Sequence, residues 1–261
     1  MRLIVKNLDS VSGMGLFNSP LEQFKVIVVV PFSILGFDFS ISNVTIYLLL
    51  AVLFIYNLFV AAVRDARVLS DPFQRLAEIL YSFSNGLVKQ QSGIKGLKFF
   101  PILFVLFYLI LFLNLIGLTP YGFTGTSQAS YTFTLGFSMF IGVVLIGLSV
   151  QKAKFVNQFI PATTGPIVPL LVVIEIFSYC IRPVSLSIRL FANMLAGHTL
   201  LHIIAGFAVS LFKVDTILGF LMLLPIVAVC VLEFGIAFLQ AYVFVVLLAI
   251  YLKESCYGAG H

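Results

Sequence analysis

Six side chains able to hold a charge or pass a proton sit inside stretches that are otherwise strongly apolar: Glu175, Arg182, Arg189, His198, His202 and Glu233. An ionisable group within a membrane-length apolar run is costly, and by default it marks an ion pathway or a paired interior site. Their spacing can be laid on a helical wheel at about 100° per residue. Glu175, Arg182 and Arg189 are seven apart and share one face, drifting by about 20° per step. Asn193 lies one turn beyond Arg189 on the same side. His198 falls on roughly the opposite face, with His202 one turn further on. Glu233 and Gln240 are again seven apart and share a face of the final apolar stretch. If the two stretches form a hairpin turning near Val214, His198 lies 16 residues before the turn and Glu233 lies 19 after it. At a common rise per residue the two meet at similar depth. A histidine beside a carboxylate is a plausible proton relay, because imidazole is the side chain that ordinarily titrates nearest neutrality.

Blander roles compete with this one. An arginine in a tilted helix can snorkel toward the headgroups or pair structurally, which fits Arg182 better than Arg189. Glu233 can be the structural partner of an arginine. His198 and His202, at i and i+4, have the spacing of a metal or haem pair, but the third histidine, His261, is terminal. No G-x-x-x-x-G-K-[ST] run occurs, so nothing here binds nucleotide as a P-loop. Cys180, Cys230 and Cys256 have no paired spacing, which gives neither a disulfide framework nor a thiolate metal site. The expectation is no cofactor and no metal.

The elements that must hold these groups are membrane helices. The chain is 61% hydrophobic and 10% charged, where a soluble domain carries about 25% charge. Runs of roughly 20 apolar residues cross a bilayer. They occur at 44–63, 99–118 and 131–150, and two longer runs cover 168–212 and 216–252. Each long run exceeds one upright crossing, so both are strongly tilted or broken, with Pro183 and Pro225 as kink points. Residues 1–43 read as an N-terminal surface segment without the form of a cleaved secretory signal. Within it Ser19-Pro20-Leu21-Glu22 has the form of a capping box, and 26–37, interrupted by Pro31, reads as interfacial or re-entrant. After Asp71-Pro72, Leu76, Ile79, Leu80, Phe83 and Leu87 recur at helical spacing, which predicts an amphipathic surface helix over 71–91.

The fold expected is therefore all-α: one membrane domain spanning 1–261, with about five crossings, an amphipathic surface helix and two long tilted helices forming a hairpin. Positive charge gives its orientation. The linker 64–98 holds six basic and three acidic side chains, and 119–130 holds none. The positive-inside rule puts 64–98, 151–166 and the C-terminus on the inner side and the N-terminus outside. The net charge of +5 lies between apolar spans and forms no single basic stripe, so nucleic acid is not the partner. The absence of an internal repeat removes support for an inverted-repeat transporter. A secondary antiporter would need similar buried groups but would work alone in liposomes. A redox-complex subunit would use the two histidines as ligands and absorb visible light.

Two segments carry a closer likeness. Residues 178–198, Ser178-Tyr179-Cys180-Ile181-Arg182-Pro183 through Ser187-Ile188-Arg189-Leu190-Phe191-Ala192-Asn193-Met194-Leu195-Ala196-Gly197-His198, resemble the signature helix of the ATP synthase subunit a family. Leu232-Glu233-Phe234-Gly235 through Gln240-Ala241-Tyr242-Val243-Phe244 resembles that family's last-helix motif. Asn114 to Tyr121 and Ser19 to Phe24 match further family segments.

The resemblance implies the stationary proton-conducting subunit of a rotary F-type ATP synthase, with two half-channels that do not join. It makes Arg189 the essential arginine facing the rotating ring of c subunits. His198 and Glu233 become the outer half-channel pair, Asn193 and Gln240 the polar neighbours of the arginine, and Glu175 a carboxylate near the inner path. It leaves His202 without a role. A histidine at 198 with an acid at 233 is similar to the mitochondrial type, so the mitochondrial inner membrane is expected, with an alphaproteobacterial plasma membrane as the alternative. The implied partners are the c ring, peripheral-stalk and small membrane subunits, and lipid.

Overall fold

The computed structural model describes residues 24–31, 33–34, 37–38, 40–64, 71–119, 122–152, 168–213 and 216–257. It is built almost wholly from helices: α1 (Asn43–Arg64), α2 (Pro72–Gly96), α3 (Phe100–Gly117), α4 (Ala129–Gln151), α5 (Val168–Phe212), the short α6 (Thr216–Leu221) and α7 (Leu223–Tyr257). Five stretches among the described residues are long and apolar enough to cross a membrane. At about 1.5 Å per residue α5 is about 68 Å long and α7 about 52 Å. A hydrocarbon core of about 30 Å accommodates neither upright, so both lie strongly tilted.

The expected all-α class holds, with one local exception. The segment 26–37, read as interfacial or re-entrant, and the residues just after it carry four very short strands, β1 (Val28–Val30), β2 (Ser33–Ile34), β3 (Phe37–Asp38) and β4 (Ile41–Ser42). β1 pairs antiparallel with β4, and β2 with β3. A β-branched run, Val28-Val29-Val30, favours this extended form. The side chain of Asn43, first residue of α1, reinforces it. Its Nδ2 donates to the Lys25 carbonyl (3.2 Å), and its Oδ1 accepts from the Ile27 and Val44 amides. The capping-box run 19–22 lies outside the described residues.

Two other boundaries differ from expectation. The last apolar stretch is broken at Met222, between α6 and α7, and not kinked at Pro225. Pro225 is the third residue of α7, inside the first turn, where its missing N–H costs no intrahelical bond. Pro183 sits inside α5, which runs on through it. The amphipathic helix extends beyond 91 to Gly96, across non-helical backbone at Gly93, whose φ of 69° suits a residue without Cβ.

α7 is the central strut, packing on α2, α3, α4 and α5. Its Ala237, Ala241 and Ala249 are fully buried, and small residues at such contacts let membrane helices approach closely. Gly136 does the same between α4 and α5, since a Cβ there would overlap the Ser187 hydroxyl. The core joins Val88 of α2, Tyr108 and Ile110 of α3, Leu190 of α5, and Phe244 and Val245 of α7. The Tyr108 hydroxyl donates to the Leu80 carbonyl (2.9 Å) and pairs with Ser84 (3.0 Å), which fixes α2 on α3 without an orphaned phenol.

Asn114 ties three elements together. Its Nδ2 donates to the Ala237 carbonyl of α7 (3.3 Å), and its Oδ1 accepts from Thr126 Oγ1 (2.8 Å) in the turn at Gly125–Ser127. Both side chains are fully buried. Asn114→Leu would strand the Thr126 hydroxyl, at a cost of about 1–3 kcal/mol for a buried polar group losing its partner. The solubilised protein should then lose its fold several degrees lower on heating. An unchanged midpoint would show that the bridge is not stabilising.

Candidate proton site

The site lies where α5 crosses α7. Burial around Arg189 follows the helical turn. Leu186, Ser187, Leu190 and Met194 turn inward and are buried, while Ile188, Arg189 and Asn193 face outward from the bundle. Arg189 is exposed, and no ion pair reaches it among the described residues. A guanidinium keeps its charge in any protein setting, so α5 presents a fixed positive charge at its outward face in the middle of a membrane helix. One turn further along, Asn193 Nδ2 donates to Gln240 Oε1 of α7 (3.0 Å). That bond locks the two helices together beside the arginine.

His198 and Glu233 line one small cavity with Leu118, Asn193, Met194, Gly197 and Ile236. Its volume of about 10 Å³ is near the minimum for a single water. Glu233 is 4% exposed, and neither carboxylate oxygen finds a hydrogen-bond partner among the described residues. His198 Nε2 is likewise buried and unpartnered. Burying a polar group without a partner is expensive. Two such groups therefore face one cavity, each lacking the partner that a buried polar atom ordinarily has. Gly197 makes the approach possible, since a Cβ there would stand 2.8 Å from Glu233 Oε1.

Arg182, placed by spacing on the same face as Arg189, is engaged elsewhere. Its Nη1 bonds Glu254 Oε2 of α7 at 2.7 Å, and its guanidinium stands over the rings of Tyr179 (5.4 Å) and Tyr251 (5.0 Å). The structural pairing weighed for Glu233 thus falls to Glu254. Glu175 is exposed on α5, two turns before Arg182, with no ion pair among the described residues. His202 is exposed on the turn after His198, and no set of three His, Cys, Asp or Glu side chains gathers among the described residues.

Three participants escaped the sequence reading. Glu254 lies past Leu252, where the apolar run ends, yet α7 continues to Tyr257. Gly197 stood unremarked beside His198, and only the cross-helix distance reveals its use. Phe24 lay in a matched segment with no assigned role, and its ring meets His198 edge-on.

The family model described as ATP synthase A chain matches residues 44–253. The chain is 45% identical over 248 residues to ATP synthase subunit a of Acanthamoeba castellanii, covering 94% of this chain and 100% of that protein. It is 42% identical over 243 residues to the Chondrus crispus protein of the same name, covering 92% and 96%. A Rhizobium rhizogenes ATP synthase subunit a is 40% identical over 248 residues, covering 94% and 99%.

Proposed function

Because the chain belongs to the ATP synthase A chain family, and so is a proton-translocating membrane subunit that works with other ATP synthase subunits, we propose that it is the stator against which a ring of c subunits turns. The observation that carries this reading is the position of Arg189. It is an outward-facing charge in a membrane helix with no ion pair among the described residues, one turn from Asn193, which bonds Gln240 and lines the cavity of His198 and Glu233. A permanent charge facing out of the bundle in lipid needs an anion from another chain. A carboxylate on a neighbouring rotating helix supplies it.

In this mechanism a proton enters from the outer side, where α4 begins, and passes through the cavity between His198 and Glu233. It then neutralises the ring carboxylate. Desolvation favours the neutral acid, so that carboxyl can travel through lipid only after protonation. On its return it meets an inner path beside Glu175 and releases the proton. Arg189 separates the two paths. It attracts the ionised carboxylate and repels a proton that would otherwise cross directly. Each proton delivers about 2.3 kcal/mol per 100 mV of membrane potential, so several must pass for each ATP. The relatives include two eukaryotes and a bacterium; the His198 and Glu233 arrangement favours the mitochondrial inner membrane as the site of action.

The direct test is passive proton conduction through the membrane sector after the catalytic head is removed. Glu233→Leu should cut conduction at least about tenfold, equivalent to ~1.4 kcal/mol on the barrier. Conduction at the native rate would place the proton path elsewhere.

A further inference from the structure

We propose that Phe24 is a positioning residue for His198, and that residues 24–27 form a strap that holds its ring in place. The inference rests on the relay reading of His198 and Glu233 and adds a residue to it.

The Phe24 and His198 rings meet with centroids 6.5 Å apart and planes at 73°. That is the edge-to-face geometry aromatic pairs prefer. The contact bridges 174 residues of sequence, from a segment ahead of the first membrane helix to the middle of α5. Segments near a terminus are ordinarily loose unless something ties them down. This one is tied from two directions. Gln128, immediately before α4, donates from Nε2 to the Phe24 carbonyl at 2.6 Å. Asn43, at the start of α1, holds the Lys25 carbonyl and the Ile27 amide through its side chain, and its own amide donates to the Ile27 carbonyl at 3.1 Å. The β1–β4 pairing continues the anchorage. Two helix starts therefore hold three of these four residues, Phe24, Lys25 and Ile27, and the side chain at the head of the strap is the one that meets His198.

The imidazole needs such a support. A relay histidine must keep one ring nitrogen toward its partner, and this is commonly achieved by a hydrogen bond to the other nitrogen. No hydrogen bond fixes the His198 ring among the described residues, and its Nε2 is buried without a partner. What remains is packing. The Phe24 edge limits rotation about the imidazole's side-chain bonds, and so keeps the ring facing the cavity it shares with Glu233. A proton step that depends on near-contact geometry loses rate steeply when the donor is allowed to swing.

The test uses the purified complex in liposomes, with ATP synthesis driven by an imposed proton gradient and with complex recovery measured for each variant. Phe24→Ala should lower the rate about two- to tenfold, the rate equivalent of one aromatic pair. Phe24→Tyr keeps the aromatic edge and should retain the native rate, whereas Phe24→Leu, which supplies bulk alone, should not. Gln128→Leu removes the tie at Phe24 itself but leaves the ring and the Asn43 anchorage, and should lower the rate part of the way toward Phe24→Ala, without adding to that loss in the double variant. A native rate in Phe24→Ala, or equal rescue by Leu and Tyr, overturns the proposal. Should Phe24→Ala fail to assemble, the Gln128→Leu result decides in its place. His198→Ala serves as the parallel arm: a native rate there removes the relay reading itself, while a loss there with Phe24→Ala unaffected removes only the strap.

Discussion

Replacing Arg189 by alanine is expected to lower proton-driven ATP synthesis by more than about 100-fold, or ~2.7 kcal/mol, with the catalytic head still hydrolysing ATP at its native rate. The expectation follows from where the side chain sits. Arg189 is exposed on α5 and pairs with no carboxylate among the described residues, so its removal breaks no internal salt bridge and leaves no buried counter-charge. The folded subunit should assemble. What disappears is the fixed positive charge that holds an ionised partner carboxylate and keeps protons from crossing directly. Passive conduction through the membrane sector should therefore persist in Arg189→Ala even as synthesis fails. Arg189→Lys should fare little better, because a flexible point charge lacks the planar fork that grips a carboxylate through two bonds. Native synthesis in Arg189→Ala would remove this residue from the gate. Loss of conduction together with synthesis would make it part of the proton path itself.

Most of the architecture could be read from the apolar runs, because a membrane demands about 20 apolar residues per crossing and leaves that demand visible. The starts of α1 and α5 and the tilt of the two long helices follow from run length alone. The misjudged features are those decided by contacts across the fold. The strand pair Val28–Val30 with Ile41–Ser42 depends on Asn43 and on long-range ladder bonds that no local pattern announces. The break at Met222 was misplaced to Pro225, because proline at a first turn looks in sequence like proline at a kink.

The site divides the same way. Its charged residues stood out because lipid makes each of them costly, and the hairpin register was enough to bring His198 and Glu233 to one depth. Seven-residue spacing put Arg182 and Arg189 on a common face, but the structure gives them different fates. Arg182 finds Glu254 72 residues away, and Arg189 finds no carboxylate among the described residues. No wheel diagram distinguishes an arginine that is paired from one that waits for a partner. The distinction rests on how far α7 runs past its apolar stretch, and the apolar pattern ends before it.

Gly197 supplies the second large effect. In a helix interior, glycine is less favourable than alanine by about 1 kcal/mol, so propensity alone predicts that a larger residue would stabilise α5. The cavity predicts the reverse for function. A Cβ at 197 would come within 2.8 Å of Glu233 Oε1 and within 3.2 Å of its Cδ and Cγ. Alanine therefore asks the carboxylate to yield by a few tenths of an ångström, and valine adds two further carbons on that side. The obstructed group is the end of a side chain, which can move, so the fold should survive. The cost falls on the position of the proton carrier. Gly197→Ala is expected to slow passive proton conduction a few-fold, and Gly197→Val at least about tenfold, ~1.4 kcal/mol, with the complex recovered in normal amount. Shortening the displaced partner should relieve the crowding: Glu233→Asp in the Gly197→Val background should recover part of the lost conduction, although Glu233→Asp alone lowers it. Such a compensating pair separates steric displacement of Glu233 from general damage to α5, because damage to the helix would not be repaired from α7. If Gly197→Val conducts at the native rate, the close approach of α5 to Glu233 does not govern the proton step, and the glycine serves helix packing alone.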